Sequence, residues 1–163
     1  MADLYAEVFS GLDPAAVPEL ATFPHTPGAS AGDDHLVAVR DLEFHSLCVH
    51  HFVPFFGRAH VAYLPGDRII GISGIARLLD HYARRPQLQE RITTQIADHL
   101  ERLVAPRGVA VVLEARHLCM EMRGIRKRGV VETRVVRGAL AEPRWAALLP
   151  VGRGDTSEAD AER

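Results

Sequence analysis

Hydrophobic and polar positions change their period several times along the 163-residue chain. Between residues 36 and 47, Leu36, Ala38 and Leu42 fall on even positions, the period of two expected of a strand. Residues 58–65 (RAHVAYLP) predict a second strand, closed by the turn Pro65-Gly66-Asp67. A helix is predicted from Ser73 to Ala83, with Ser73 as its N-cap. The most regular helix follows. Leu88, Ile92, Ile96, Leu100 and Leu103 recur at spacings of four and three, opposite Arg91, Thr94, Asp98 and Arg102. Pro86 precedes it, and Pro106 and Gly108 stop it. Strands at Val109–Cys119 and Val130–Gly138 complete the pattern. The order strand–strand–helix–helix–strand–strand predicts one α+β domain, with both helices on one face of an antiparallel sheet.

The flanks read differently. Residues 1–35 carry Pro14, Pro18, Pro24 and Pro27 among Gly, Ser and Asp, so they read as an irregular lead-in with one short helix at Ala2–Ser10. Residues 36–149 form the expected main domain, and the polar, acidic tail at 150–163 is expected to be disordered. A composition of 47% hydrophobic and 25% charged residues is that of an ordinary globular protein. The apolar runs are too short to cross a membrane, and the N-terminus has no basic start followed by an apolar stretch, so the expectation is a cytoplasmic protein without membrane partners. A formal charge of −2 argues against a dedicated nucleic-acid binder. Locally, Arg123, Arg126, Lys127, Arg128, Arg134 and Arg137 face only Glu132, which is either a solvated surface or an anion site.

Two clusters carry candidate chemistry. Cys48-Val49-His50-His51 lies where a strand gives way to Pro54, and His117-Leu118-Cys119 lies at the end of a later strand. Residues at i and i+2 of a strand face one way, so His117 and Cys119 are expected to project together. Cys-x-x-His is a metal-ligand spacing, since a turn there brings thiolate and imidazole around one ion. Cys119 would add a third ligand and leave a fourth position for water. On spacing alone, two alternatives stay open: buried cysteines acting as small hydrophobes, and a Cys48–Cys119 disulfide, which a cytosolic setting disfavours.

The blocks LCVHHFVPFFGRAHVAYLPGDRIIGIS, QLQERITTQIADHL, GVAVVLEARHLCMEMRGIRK and FSGLD resemble consecutive blocks of the GTP cyclohydrolase I family, over roughly residues 4–138. The resemblance implies the tunnelling fold: a four-stranded antiparallel sheet with two helices, the sheets of neighbouring subunits joining into barrels. It implies a homo-oligomer, commonly a decamer of two five-membered rings, with active sites between subunits. It implies Zn2+ held by Cys48, His51 and Cys119, acting on a guanine nucleotide or related purine. By the same resemblance His117 and His50 are the acid/base histidines, and Ser73 contacts substrate. Gln89 and Glu90 read guanine, and Arg77 and Arg123 hold phosphate. The implied reaction opens the guanine imidazole ring at C8 and releases formate, converting GTP to dihydroneopterin triphosphate or a ring-opened product.

The sequence departs from the family at three places. The lysine usual after the serine is Gly74, the glutamate usual before the histidine pair is Val49, and the cationic segment usual ahead of the FSGLD block is not in this sequence. Each charge-assisted hydrogen bond contributes about 1.5–3 kcal/mol. A variant cyclohydrolase acting on GMP, guanosine or guanine is therefore an alternative expectation. A catalytically inactive structural or regulatory homologue is another, set against the retention of all three metal ligands. The tunnelling-fold nitrile reductases lack this Cys/His set.

Overall fold

The computed structural model describes residues 2–13, 17–26 and 35–147. In chain order the elements are helix α1 (Ala2–Val8), strand β1 (Thr22–Pro24), β2 (Val37–Cys48), β3 (Pro54–Leu64), β4 (Arg68–Ile70), helix α2 (Ile72–Ala83), β5 (Pro86–Gln87), α3 (Gln89–Val104), β6 (Gly108–His117), α4 (Leu118–Glu121) and β7 (Val130–Gly138). Single 3₁₀ turns occupy Ser10–Leu12, Ala139–Ala141 and Pro143–Trp145. The expected acidic tail at 150–163 lies outside the described residues, as do Pro14 and Pro27 of the lead-in.

The segment read as a strand from Leu36, Ala38 and Leu42 becomes β2, but its inward face differs: Val37 and Val39 join Leu42 on the helix-side core, Leu36 packs behind the sheet and Ala38 is exposed, because a bulge changes the alternation before Leu42. The continuous apolar run Val109–Leu113 lies in β6, buried on both faces. The long strands pair antiparallel in the order β2-β3-β6-β7. A fifth strand corrects the four-stranded expectation: β5 adds two residues parallel to β2, with Leu47 opposite Pro86 and Cys48 opposite Gln87. No period is readable in two residues, so sequence pattern alone misses it. The lead-in also contributes β1, paired antiparallel with β4 in a separate two-stranded sheet. Strand β3 starts at Pro54, four residues before its predicted start, because proline is tolerated as the first residue of a strand. The N-cap of α2 is Gly71 rather than Ser73, which lies inside the first turn and makes no capping bond.

The main core lies between the sheet and helices α2 and α3. Phe44, Phe55, Val61, Tyr63, Val109, Val111 and Leu113 face Leu78, Leu79, Ile92, Ile96 and Leu100. Ile92, Ile96 and Leu100 of the predicted α3 stripe are buried, joined by Gln89, Thr93, Ala97 and Val104, while Leu88 is the N-cap and Leu103 is only partly buried. Arg137 of β7 ties the helix down through Asp98 (2.7 Å) and Glu101 (2.6 Å). Behind the sheet, Leu140 and Trp145 pack on Ala62, Leu64 and Ala110. A β-bulge interrupts β2, where the register against β3 shifts between Val39 and Leu42. Asp41 there has a left-handed φ of 57°, and its amide donates to His60 Nδ1 at 3.2 Å. Among the described residues no helix is long and apolar enough to cross a membrane.

Helices α2 and α3 are also joined by Tyr82, whose hydroxyl lies 3.0 Å from His99 Nδ1. Burial, helped by the nearby Arg102, holds the His99 pKa below its ordinary value. The unfolded chain therefore binds more protons once the pH falls below about 6.5. Stability present above that value is lost progressively towards the folded pKa. The urea midpoint should fall between about pH 7.5 and about pH 5.5, and His99→Gln, which keeps an acceptor for Tyr82, should flatten that fall. An unchanged slope in the variant would remove His99 as its source.

Candidate active site

The turn between β2 and β3 closes on Cys48. The Cys48 amide donates to the Val53 carbonyl at 2.9 Å, while the Cys48 carbonyl accepts from the amides of His51 (3.2 Å) and Phe52 (2.8 Å). Phe52 completes the reversal with a φ of 52°. This coil brings His51 Nδ1 to 3.7 Å and His50 Nδ1 to 4.0 Å from Cys48 Sγ. The β5 edge steadies the turn, since the Val49 amide donates to the Gln87 carbonyl at 3.0 Å.

The second cluster reaches the same place by a different route from the one expected. Strand β6 ends at His117, and Cys119 lies in the single helical turn α4, so the two do not share a strand face. The helical turn folds Cys119 back towards the hairpin. One ligand atom each from Cys48, His51 and Cys119 lies within 4.8 Å of the others, a group found among the described residues. Both cysteines are free thiols, which sets aside the disulfide alternative. Two sulfurs and an imidazole nitrogen at ordinary zinc bond lengths would stand about 3.6 Å apart on a tetrahedron, close to the observed 3.7 Å from Cys48 to His51. Burial and the adjacent Cys48 thiol push the Cys119 thiol up, partly offset by Arg123. Two crowded thiols with an imidazole make a donor set that fits a divalent cation of zinc type.

His117 borders this cluster at the end of β6. Its ring stacks on Phe55, the residue opposite it on β3, with centroids 4.6 Å apart and planes 4° from parallel. Its Nε2 lies 2.8 Å from Gln89 Oε1. Burial lowers its pKa, opposed in part by the Glu90 carboxylate. Gln89 and Glu90 open α3 and then diverge: Gln89 is 2% exposed and bonded within the chain, while Glu90 is exposed to solvent. Arg123 is exposed just beyond α4. Ser73 and Arg77 lie one turn apart on the exposed side of α2. Arg77 lines a separate depression with Ser10, Gly11, Pro18, Asp80, His81 and Arg84.

Gly74 is buried beneath the lead-in. A Cβ there would stand 3.1 Å and 3.2 Å from Ile70 side-chain carbons and 3.5 Å from Leu20. The lead-in thus packs where a side chain at this position would have to emerge. Phe55, Thr93 and Thr133, which hold His117 or Gln89, are not singled out by sequence. The register that sets Phe55 against His117 is the signal that would have found the first.

The profile of the GTP cyclohydrolase I family matches residues 1–147. The chain belongs to the GTP cyclohydrolase I family. It is 53% identical over 120 residues to GTP cyclohydrolase 1 of Deinococcus radiodurans, a match covering 72% of this chain and 56% of that protein. It is 49% identical over 146 residues to the Lysinibacillus sphaericus enzyme (87% of this chain, 74% of the relative). It is 50% identical over 145 residues to the Thermobifida fusca enzyme (87% and 68%). The chain thus spans little more than half the length of the first of these relatives. The apo crystal structure of the archaeosine synthase QueF-Like aligns at a TM-score of 0.46 and 20% identity, over 61% of this chain and 91% of that one.

Within this family member, the Phe55 stack should be a main source of order at the site. Phe55→Ala should cost about 3–5 kcal/mol of unfolding free energy in urea titrations. A loss below about 1 kcal/mol would mean that the ring is held by other contacts.

Proposed function

We propose that this chain catalyses hydrolytic opening of the guanine imidazole ring at C8 with release of formate, taking GTP to dihydroneopterin triphosphate. The observation that carries this reading is the convergence of Cys48, His51 and Cys119 beside a half-buried His117 stacked on Phe55, in a member of the GTP cyclohydrolase I family. Cys48, His51 and Cys119 would hold the zinc ion. Bound there, zinc supplies a water acidified towards neutrality and an electrophile for the purine. His117 and His50 hold and move the protons that the departing ring nitrogen requires, a task suited to imidazole, whose two nitrogens can donate and accept. Glu90, exposed at the start of α3, accepts the two N–H groups of the guanine edge, a pair adenine does not offer. Arg123 and Arg77 bind phosphate, and Ser73 contacts the substrate. We propose the tunnelling-fold oligomer for the active form, with sites shared between subunits. The exposed Phe52, Met122 and Ile125 in the loops flanking the Cys–His cluster support a covering neighbour.

A second reading keeps the chemistry and changes the substrate. The burial of Gly74 against Ile70 and Leu20 leaves no cation in the first turn of α2, which favours a guanine compound with fewer phosphates. Comparison of kcat/KM for GTP, GMP and guanosine separates the two. A GTP advantage of a hundredfold or more, about 2.7 kcal/mol, requires a rebuilt phosphate site and ends the second reading. Gly74→Lys is expected to lower stability, because its side chain must displace Leu20 or Ile70.

Purified protein should carry one zinc per chain, and Cys119→Ser should lose both the metal and the activity. Full formate release by that variant after chelation would end the zinc assignment. His117→Ala should keep metal and fold and lose about 10²–10⁴-fold in turnover. Formate and pterin fluorescence, read separately, tell ring opening from the complete reaction.

A further inference from the structure

The amide of Gln89 has only one orientation compatible with its surroundings. Its nitrogen lies 2.9 Å from the Leu113 carbonyl and 2.8 Å from the Val131 carbonyl, with Thr133 Oγ1 at 3.2 Å. Carbonyl oxygens only accept, so the end of the side chain that meets them is the NH2 group. Turned the other way, Oε1 would stand against two buried carbonyls with no hydrogen between them. The threonines keep this order. The Thr93 hydroxyl donates to the Gln89 carbonyl at 2.9 Å, so the 2.6 Å contact between Thr93 and Thr133 takes its hydrogen from Thr133, whose oxygen stays open to Gln89.

The consequence falls on His117. Oε1 of Gln89 faces His117 Nε2 at 2.8 Å, and an amide oxygen only accepts, so Nε2 carries a hydrogen. In the neutral ring, Nδ1 then carries none. Phe55 fixes the plane of the ring and Gln89 fixes its edge. We infer that Gln89 is a positioning residue that locks His117 as the Nε2–H tautomer and leaves Nδ1 as the one ring nitrogen free to exchange protons. This assigns Gln89 a task other than reading guanine, which falls to Glu90.

What Nδ1 does rests on the cyclohydrolase reading; which nitrogen bears hydrogen does not. In ring opening, Nδ1 takes a proton from the attacking water, giving an imidazolium whose Nε2–H stays on Gln89. The same proton then passes to the nitrogen released as the C–N bond at C8 breaks. His117 ends as it began, and the purine has gained the elements of water.

The test is a 15N spectrum of histidine-labelled holoenzyme at about pH 8, above the ordinary histidine pKa. The His117 signals are assigned by their loss in His117→Gln. The expected result is a protonated Nε2 and an unprotonated Nδ1; a protonated Nδ1 overturns the proposal, and this measurement needs no Gln89 variant. Gln89→Met keeps length and bulk without an acceptor. It should mix the tautomers and lower kcat on GTP about 10–100-fold, with KM changed less than about threefold. A raised KM with kcat preserved would make Gln89 a guanine contact and overturn the proposal. Protein that shows the expected tautomer yet opens no guanine compound would sink the cyclohydrolase reading and leave the role of Gln89 standing.

Discussion

The pairing of β3 with β6 is the constraint on which the rest of the structure depends. It runs without a register shift from Phe55 opposite His117 to Leu64 opposite Gly108, and both strands are buried on both faces through most of their length. Burying a side chain such as Val111 or Leu113 contributes about 1.5–3 kcal/mol, and a one-residue slip would turn every side chain to the other face and undo its packing against the opposite layer. Because the register is fixed, the end of β6 meets the start of β3 at one point. His117 lands on Phe55, α4 turns back immediately, and the β2–β3 turn stands beside it. The two thiols and His51 are gathered by the ends of strands whose middles are held by the core.

Helix α3 fastens this end to the sheet from above. Its predicted apolar stripe seats it on β6, and Arg137 anchors its later turns to β7. Its first residue reaches down between β6 and β7 and holds their carbonyls together. The next residue points the other way. Adjacent positions on a helix differ by about 100°, so one stays inside as framework and the other remains available to a ligand.

Much of this was legible in the sequence, for identifiable reasons. Long elements announce themselves through repeated periods, and so α3, β2, β6 and β7 are readable from spacing. Short elements carry no period: β5 and α4 depend on contacts with residues far along the chain, and the strand expected to continue through Cys119 stops two residues earlier. Ser73 resembles a cap by composition, yet Gly71 takes that position because the β1–β4 pairing sets where α2 begins. The cysteines and His51 could be grouped only through family resemblance, since spacing left their proximity open. The setting of Gln89 was beyond reach because its partners, Val131 and Thr133, stand more than forty residues away on β7.

The bulge in β2 changes the parity of the strand. Before it, odd-numbered residues Val37 and Val39 pack against the helix-side core; after it, even-numbered Leu42, Phe44 and Cys48 do. The neighbouring β3 keeps odd parity throughout, from Phe55 to Tyr63. One extra residue near Asp41 is thus what delivers a thiol to the helix side of the sheet. Losing or gaining a single residue there, in a segment remote from any reacting atom, would either expel the apolar side chains before the bulge or rotate Cys48 to the opposite face. The chain length between Val37 and Leu42 decides which face of the sheet receives the thiol as surely as the identity of residue 48 decides that there is one.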